Sequence, residues 1–330
     1  MCIGQHLTAN SLHFLRVNAQ IHNLDKQKTA QIRRTLGNMR MDTISDKISK
    51  DLDNLSIQLL DFVRTNTRLK RVFFPGDMSF STSGDFSFED LEADAIPIQD
   101  RLYKNFNKTF DLIDFLLADS PKDHTKEFTT NRDIITEFIL QNSMTWCISI
   151  NEIATKSEEA VKSIQTILNT LFVKGNQIPL FIPDTNALYA NTEPENWNFD
   201  DASKFEIIIT PSVLKDLDRH KIEHRNEEIR NKAIKLINKI KEFRRRGKLT
   251  EGVNVTKDKI VLRTVATEPD FSKALKWLDH NNDDDRLIAE ILEIMKQNCD
   301  RPVLIVTADI NLQNKCEFVD LPFLEPPLKT

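Results

Sequence analysis

Four places in the C-terminal half put aspartates where the chain turns from strand or loop into helix. They are Asp184 after LFIP, Asp216 within PSVLKDLDRHK, the run Asp283-Asp284-Asp285, and Asp309 in VLIVTADINL. An Asp at a helix start is, taken alone, a cap that stabilises the first turn by roughly 1 kcal/mol. Asp184 and Thr185 are both good N-caps. Asp216 lies one turn into its helix, where capping explains less and a solvated acid is the plain alternative. Taken together, the four places point further. Parallel strands bring their carboxyl ends to one side of a sheet, so acids at several such ends converge without being close in sequence. Converging carboxylates repel, and a hard divalent cation relieves the repulsion. Mg²⁺ is held by a few carboxylates together with water and substrate phosphate. With no Cys or His at ligand spacing, the set suits Mg²⁺ or Mn²⁺ and not zinc. Such an ion activates water and stabilises charge on a phosphoryl oxygen.

Strands and helices of the right order must carry these acids. Leu180–Ile182, Phe205–Ile209, Ile260–Arg263 and Val303–Val306 are short apolar runs that read as buried strands, with a last strand over Glu317–Leu321. Between them, Pro211 starts a helix behind Thr210. Glu227–Arg246 carries Ile229, Ala233, Leu236, Ile240 and Phe243 on one helical stripe. Asp284 and Asp285 open a helix bearing Leu287, Ile288, Ile291 and Leu292. Strands alternating with helices predict an α/β fold, a doubly wound, mainly parallel sheet flanked by helices.

The N-terminal half has a different period. Ile44, Ile48, Leu52, Leu55, Leu59 and Phe62 form one helical face, and Phe14, Val17, Ile21 and Leu24 an earlier one. Residues 72–98, with Pro75, Gly76, Gly84 and five phenylalanines (Phe73, Phe74, Phe80, Phe86 and Phe88), read as a loop strapped over the bundle or as a stacking surface. Helices resume over Gln99–Leu117 and from Asn131 to Val173, the last segment capped by Ser157 and ended by Gly175. The expected organisation is an all-helical domain over 1–175 and an α/β domain over 178–330.

Composition excludes several classes. Seven glycines in 330 residues argue against a Gly-rich phosphate loop. Cys2, Cys147, Cys299 and Cys316 form no C-x-x-C pair, so neither a zinc site nor a disulfide framework is expected. With no signal peptide, a cytoplasmic location is expected. No apolar run approaches the roughly 18 residues that span a bilayer, so no membrane role is expected.

Charge is concentrated in one place. Between Arg219 and Lys248 stand 12 Lys or Arg against 4 Asp or Glu. This basic helix follows the second acid directly. Arg219, Lys221, Arg225 and the run Arg244-Arg245-Arg246 are candidates to hold a nucleic-acid backbone beside an acidic metal pocket. A solvated helix face is compatible with that role, because stripe and charges occupy different faces. His220 and His224 fit nucleic-acid contact or plain surface. Phe271 and Trp277 fit core packing better than base stacking. Trp197 fits either a wall of the site or a packed interface.

The segments PDTNALY (183–189), PSVLKDLDRHK (211–221), NDDDRLIAEIL (282–292) and LIVTADINLQNK (304–315) together resemble the PIN domain, a metal-dependent nuclease fold. The second and fourth most resemble the larger branch with V-L-x-[E/D]-L-D-x-x-K and V-T-x-D-x-x-L patterns. The resemblance covers about 178–330 and leaves the helical half unexplained. It implies metal contact by Asp184, Asp216, Asp285 and Asp309. Asp216 stands where the family usually has Glu, which puts direct ligation there in question. In the third motif the register points to Asp285, with Asp284 as the alternative or as a supporting acid. Asn186 and Thr307 match positions that orient the carboxylates by hydrogen bonds.

The resulting expectation is a Mg²⁺- or Mn²⁺-dependent hydrolase of phosphodiester bonds, an RNA endonuclease before a DNA one, with 5′-phosphate and 3′-hydroxyl products. The alternative is a catalytically silent PIN-like module that binds nucleic acid or scaffolds. A phosphotransferase with an Asp nucleophile is disfavoured, because Asn186 stands where its second Asp would be. The helical half is a candidate for homo-oligomerisation, gating or partner binding.

Overall fold

The computed structural model describes residues 41–72, 86–142, 144–172, 178–200 and 202–327. The expected helix around Phe14–Leu24, Phe73, Phe74, Phe80 and Gly175 lie outside the described residues. Residues 42–198 and 204–330 form one compact unit.

The first part of this unit is built from long amphipathic helices: α1 (Ile44–Asn66), α2 (Ile96–Leu117), α3 (Lys122–Leu140) and α4 (Ile150–Leu171). Helix α1 starts where the sequence allows a reciprocal cap. Thr43 Oγ1 accepts from Asp46 N–H at 3.1 Å, and Asp46 accepts from Thr43 N–H at 3.3 Å. The predicted stripe of α1 is buried throughout, from Ile44 to Phe62. It meets Leu102, Phe106 and Ile113 of α2 and Val161, Ile164 and Leu168 of α4 in one apolar core.

Two local expectations need correction here. Ser157 does not start a helix but lies inside α4, which Ser149 caps by accepting from Glu152 N–H; the buried Ser157 hydroxyl instead donates to Ile153 O at 2.8 Å. The stretch read as loop contributes strand β2 (Phe86–Phe88). It pairs antiparallel with β1 (Leu69–Arg71) and with β3 (Met144–Thr145). Alternating Phe-Ser-Phe is a period-two signal that the surrounding Ser, Gly and Asp obscure.

The second part holds a six-stranded sheet. Its strands are β4 (Leu180–Pro183), β5 (Phe205–Ile209), β6 (Val253–Thr256), β7 (Ile260–Thr264), β8 (Val303–Val306) and β9 (Phe323–Leu324), in the order β6-β7-β5-β4-β8-β9. All neighbours run parallel except β6, which is antiparallel to β7. β4 and β8 are buried at every residue, as strands covered by helices on both faces must be. The helices are α5 (Thr185–Ala190), α6 (Pro211–Glu223), α7 (Glu227–Arg244), α8 (Asp283–Gln297) and α9 (Ile310–Phe318). The segment expected as a last strand, 317–321, is thus the end of α9 and the turn after it. Leu312 and Cys316, four apart and both buried, hold α9 as a helix, and the strand comes later at β9.

The parts meet through α8, α9 and the loop before α8. Asp119, beyond the end of α2, accepts from Lys296 of α8 at 2.5 Å and from Lys273 at 3.3 Å. Lys108 of α2 pairs with Asp320. Between them lies an apolar cavity of about 360 Å³ with Tyr103, Leu275, Trp277, Leu292 and Phe318 in its wall. Trp277 is therefore not a core residue: it is 40% exposed and set edge-on against Phe318 at 5.4 Å. Phe271 is half-buried against the His280 ring. Trp197, by contrast, is buried and donates through Nε1 to Asn191 O at 3.1 Å.

Candidate active site

From β4 the chain winds to β5 and on to β7. It then returns to β8 on the other side of β4. The winding direction reverses between β4 and β8, and that is where a parallel sheet opens a crevice at its carboxyl edge. Asp184 leaves β4 and Asp309 follows β8, so both acids stand at this reversal.

One hydroxyl joins them. Thr307, fully buried, donates to Asp184 Oδ2 at 2.5 Å and accepts from Asp309 N–H at 3.0 Å. Asp184 Oδ1 accepts from Ala187 N–H at 2.6 Å and caps α5. Asp309 caps α9 through Asn311 N–H, and Asn186 Nδ2 donates to its other oxygen at 3.3 Å. Asp184 is 5% exposed. Burial pushes its pKa up to about 6 against the bonds from Thr307 and Ala187, and the charges of Asp309 and Asp284 push the same way. Cys316 lies beside the same acids. Burial and then the Asp184 and Asp284 charges raise its thiol to about 12, so it is a neutral neighbour and not a soft ligand.

The acids of the third motif divide. Asn282 caps α8 through Asp284 and Asp285 N–H. Successive residues on a helix point about 100° apart, so three consecutive acids face three ways. Asp284 acts on Asp184. Asp285 is buried, takes Asp279 N–H at 3.1 Å and pairs with Lys315 at 2.7 Å. Asp283 is exposed and shares Arg219 with Asp216. Asp216 accepts from Thr185 Oγ1 at 3.4 Å, a bond from the residue after Asp184, and burial raises its pKa. The electrostatic neighbours of Asp184 thus include Asp309 and Asp284, and those of Asp216 include Asp283.

Glu290 carries no part in the sequence reading, yet it fixes this layout. Its carboxylate, 3% exposed on α8, accepts from both the backbone N–H (3.0 Å) and the hydroxyl (2.8 Å) of Ser212. It thereby caps α6 from another helix, where Thr210 makes no side-chain cap bond. The helix of Asp216 is clamped to the helix of Asp284. The sequence signal is an acid inside the apolar run Leu287–Leu292. Glu290→Ala leaves two half-buried donors of Ser212 unpaired, and we expect a loss of about 2 kcal/mol in urea unfolding at unchanged m, with a smaller loss for Glu290→Gln.

The basic residues also divide. Arg219 is held by Asp216 and Asp283, and Lys221 pairs with Asp218. Arg225 is exposed. Arg244, Arg245 and Arg246 line an open groove of about 880 Å³ together with Lys241 and Lys248. Its floor includes Leu214, Ile237, Ile240 and Val265. Leu214 and Asp218 of α6 face this groove, and Asp216, two residues away, faces the opposite side of the helix. The acids and the basic groove therefore flank the same helix. His220 is half-buried with its ring nitrogen 2.9 Å from the Tyr189 hydroxyl, and His224 stacks edge-on to it.

Among the described residues, no three His, Cys, Asp or Glu side chains gather into a group that could hold a metal ion. The donor chemistry suits a hard cation, being all carboxylate oxygen at the centre, but the acids stand in an open arrangement. No helix of the described residues is long and apolar enough to cross a membrane. No curated protein matches the chain. Residues 181–324, which run from Phe181 in β4 to the end of β9 and include Asp184, Asp216, Asp283, Asp284, Asp285 and Asp309, match the family model of the PIN domain, a nuclease-like fold whose members are generally metal-dependent.

Proposed function

We propose that the protein is a Mg²⁺- or Mn²⁺-dependent nuclease acting on RNA in preference to DNA. One observation carries this reading: Asp184 and Asp309, tied by the Thr307 hydroxyl, stand at the winding reversal of the parallel sheet, and the Asp284 charge acts on Asp184. A divalent ion bound there would supply an activated water and a counter-charge for the phosphoryl oxygens. The chain's own residues do the rest. Thr307 and Asn186 aim the two carboxylates, which keeps their lone pairs directed into the crevice. Asp216 and Asp283 extend the acid edge along α6. The Arg244–Lys248 groove, on the other face of α6, holds phosphates of the flanking strand, while its aliphatic floor tolerates any base. The helical part, taken as a separate domain over 1–175, has no site of its own in this reading and serves to gate the site or to bring two copies together.

The test is cleavage of end-labelled single-stranded RNA and matched DNA with Mn²⁺, Mg²⁺ or EDTA. We expect metal-dependent cutting of RNA that Asp184→Asn removes. Retained binding with no cutting under any metal would instead establish the silent module.

A further inference from the structure

The acids of this site are not left bare: the chain supplies cations of its own. Lys315 Nζ lies 2.7 Å from Asp285 Oδ1, 3.2 Å from Asp284 Oδ2 and 3.0 Å from Asn282 Oδ1. Arg219 reaches Asp216 at 2.6 Å and Asp283 at 3.4 Å. The position of Lys315 is unusual for a lysine. It sits at the N-terminus of α8, the positive end of the helix dipole, where a cation is disfavoured unless carboxylates outweigh the dipole. Its ammonium also touches the Asn282 oxygen that caps the helix. Three oxygens from three residues around one cation are what a small hard ion would take in the same place. Lys315 belongs to α9, whose first turn is capped by Asp309, so one short helix brings both an acid and a cation to the crevice.

We propose that Lys315 is a built-in competitor for the divalent ion: its ammonium holds Asp284 in the metal-free protein and must withdraw before Asp284 can turn to Asp184 and Asp309. This accounts for the open arrangement of the acids. The proposal rests on the metal-dependent reading above and adds to it a residue that tunes ion affinity. The side chain is 27% exposed, so its ammonium can pass into water, and the buried Asp285 keeps the Asp279 N–H bond when it does. Withdrawal also frees a cation beside the crevice, where a substrate phosphate can receive it.

The test is Mn²⁺ binding by isothermal titration calorimetry on the full chain, without substrate. A competitor must be displaced, so Lys315→Met is expected to tighten Mn²⁺ binding by about five-fold, the equivalent of one partly exposed ion pair. Lys315→Arg should restore wild-type affinity. Lys235→Met, which removes the same charge from a lysine paired to Glu193, should leave it unchanged and so separates competition from net charge. Unchanged or weaker binding by a Lys315→Met protein with a normal urea midpoint would overturn the proposal and make Lys315 a positioning residue for Asp284. Absence of Mn²⁺ binding in wild type and variants alike would overturn the metal-dependent reading along with it.

Discussion

Asp184→Asn is expected to abolish cleavage and, in the metal-free protein, to raise stability. Loss of a hydrogen-bonder behind a metal ligand already costs about 10- to 100-fold, so loss of the central carboxylate should exceed about 100-fold. The stability gain follows from linkage. The Asp184 pKa is about 6 in the fold. Its unfolded value is about 3.9. The folded state therefore holds this proton more tightly than the unfolded chain does. The stability this provides is fully present below about pH 4 and is lost as pH rises through 6, with an upper bound of about 3 kcal/mol. Asn carries no charge and escapes the loss. It cannot, however, accept from both Ala187 N–H and Thr307 Oγ–H as the carboxylate does. A net gain of about 1 kcal/mol above pH 7 is expected after that cost. Urea unfolding in EDTA from pH 4 to 8 measures it: wild type should weaken across this window more steeply than the variant. Added Mn²⁺ should then stabilise wild type and leave the variant unmoved. A variant less stable than wild type at pH 7.5 with the same pH slope would contradict the strained carboxylate.

The second large effect concerns substrate. Replacing Arg244, Arg245 and Arg246 together by Gln removes three cations from the groove wall. Each phosphate contact to a single strand contributes about 0.7 to the salt slope, so the slope should fall by about 2 and binding near 0.1 M salt should weaken roughly 100-fold. The side chains are exposed, and Arg246 also pairs with Glu242 and lies over the Phe243 ring. The fold should hardly notice. KM should rise while kcat stays, because the lost contacts are the same in ground and transition states. A fluorescence-anisotropy salt titration decides it, and an unchanged slope would move the nucleic-acid path away from α7.

Much of the candidate site could be read before the fold was known, because two of its acids lie within three residues of the ends of buried strands. LFIP and VLIV are short, wholly apolar runs that a helix signal follows at once, so Asp184 and Asp309 could be assigned to a sheet edge without any tertiary information. The third motif shows where that reasoning stops. Ile288 does face the core and Asp285 three residues earlier does turn inward. Inward at that point means towards Asp279 and Lys315, and Asp284 is the acid that acts on Asp184. Periodicity gives the direction of a side chain about its helix axis but not what the next element has put there. The same limit hid Glu290, whose partner Ser212 is 78 residues away. It also hid β6, a half-polar edge strand whose VNVT pattern says little until β7 is beside it. The misread end of α9 has a local cause: phenylalanine, valine and leucine after Cys316 look like a strand, and burial on one helical face outweighs that propensity.

Helix α8 is anchored at both ends. Its last turn is gripped at Lys296 by Asp119 of the helical part, and its first turn carries Asp283, Asp284 and Asp285. Fifteen helical residues make a rod of about 22 Å that bends far more readily than it shortens. The Asp119 corner and the three acids thus stand at the two ends of one stiff element. The Glu290 clamp, partway along, ties the same rod to the helix of Asp216. The separation of the corner between α2 and α3 from the crevice is in this sense set by the length of one helix.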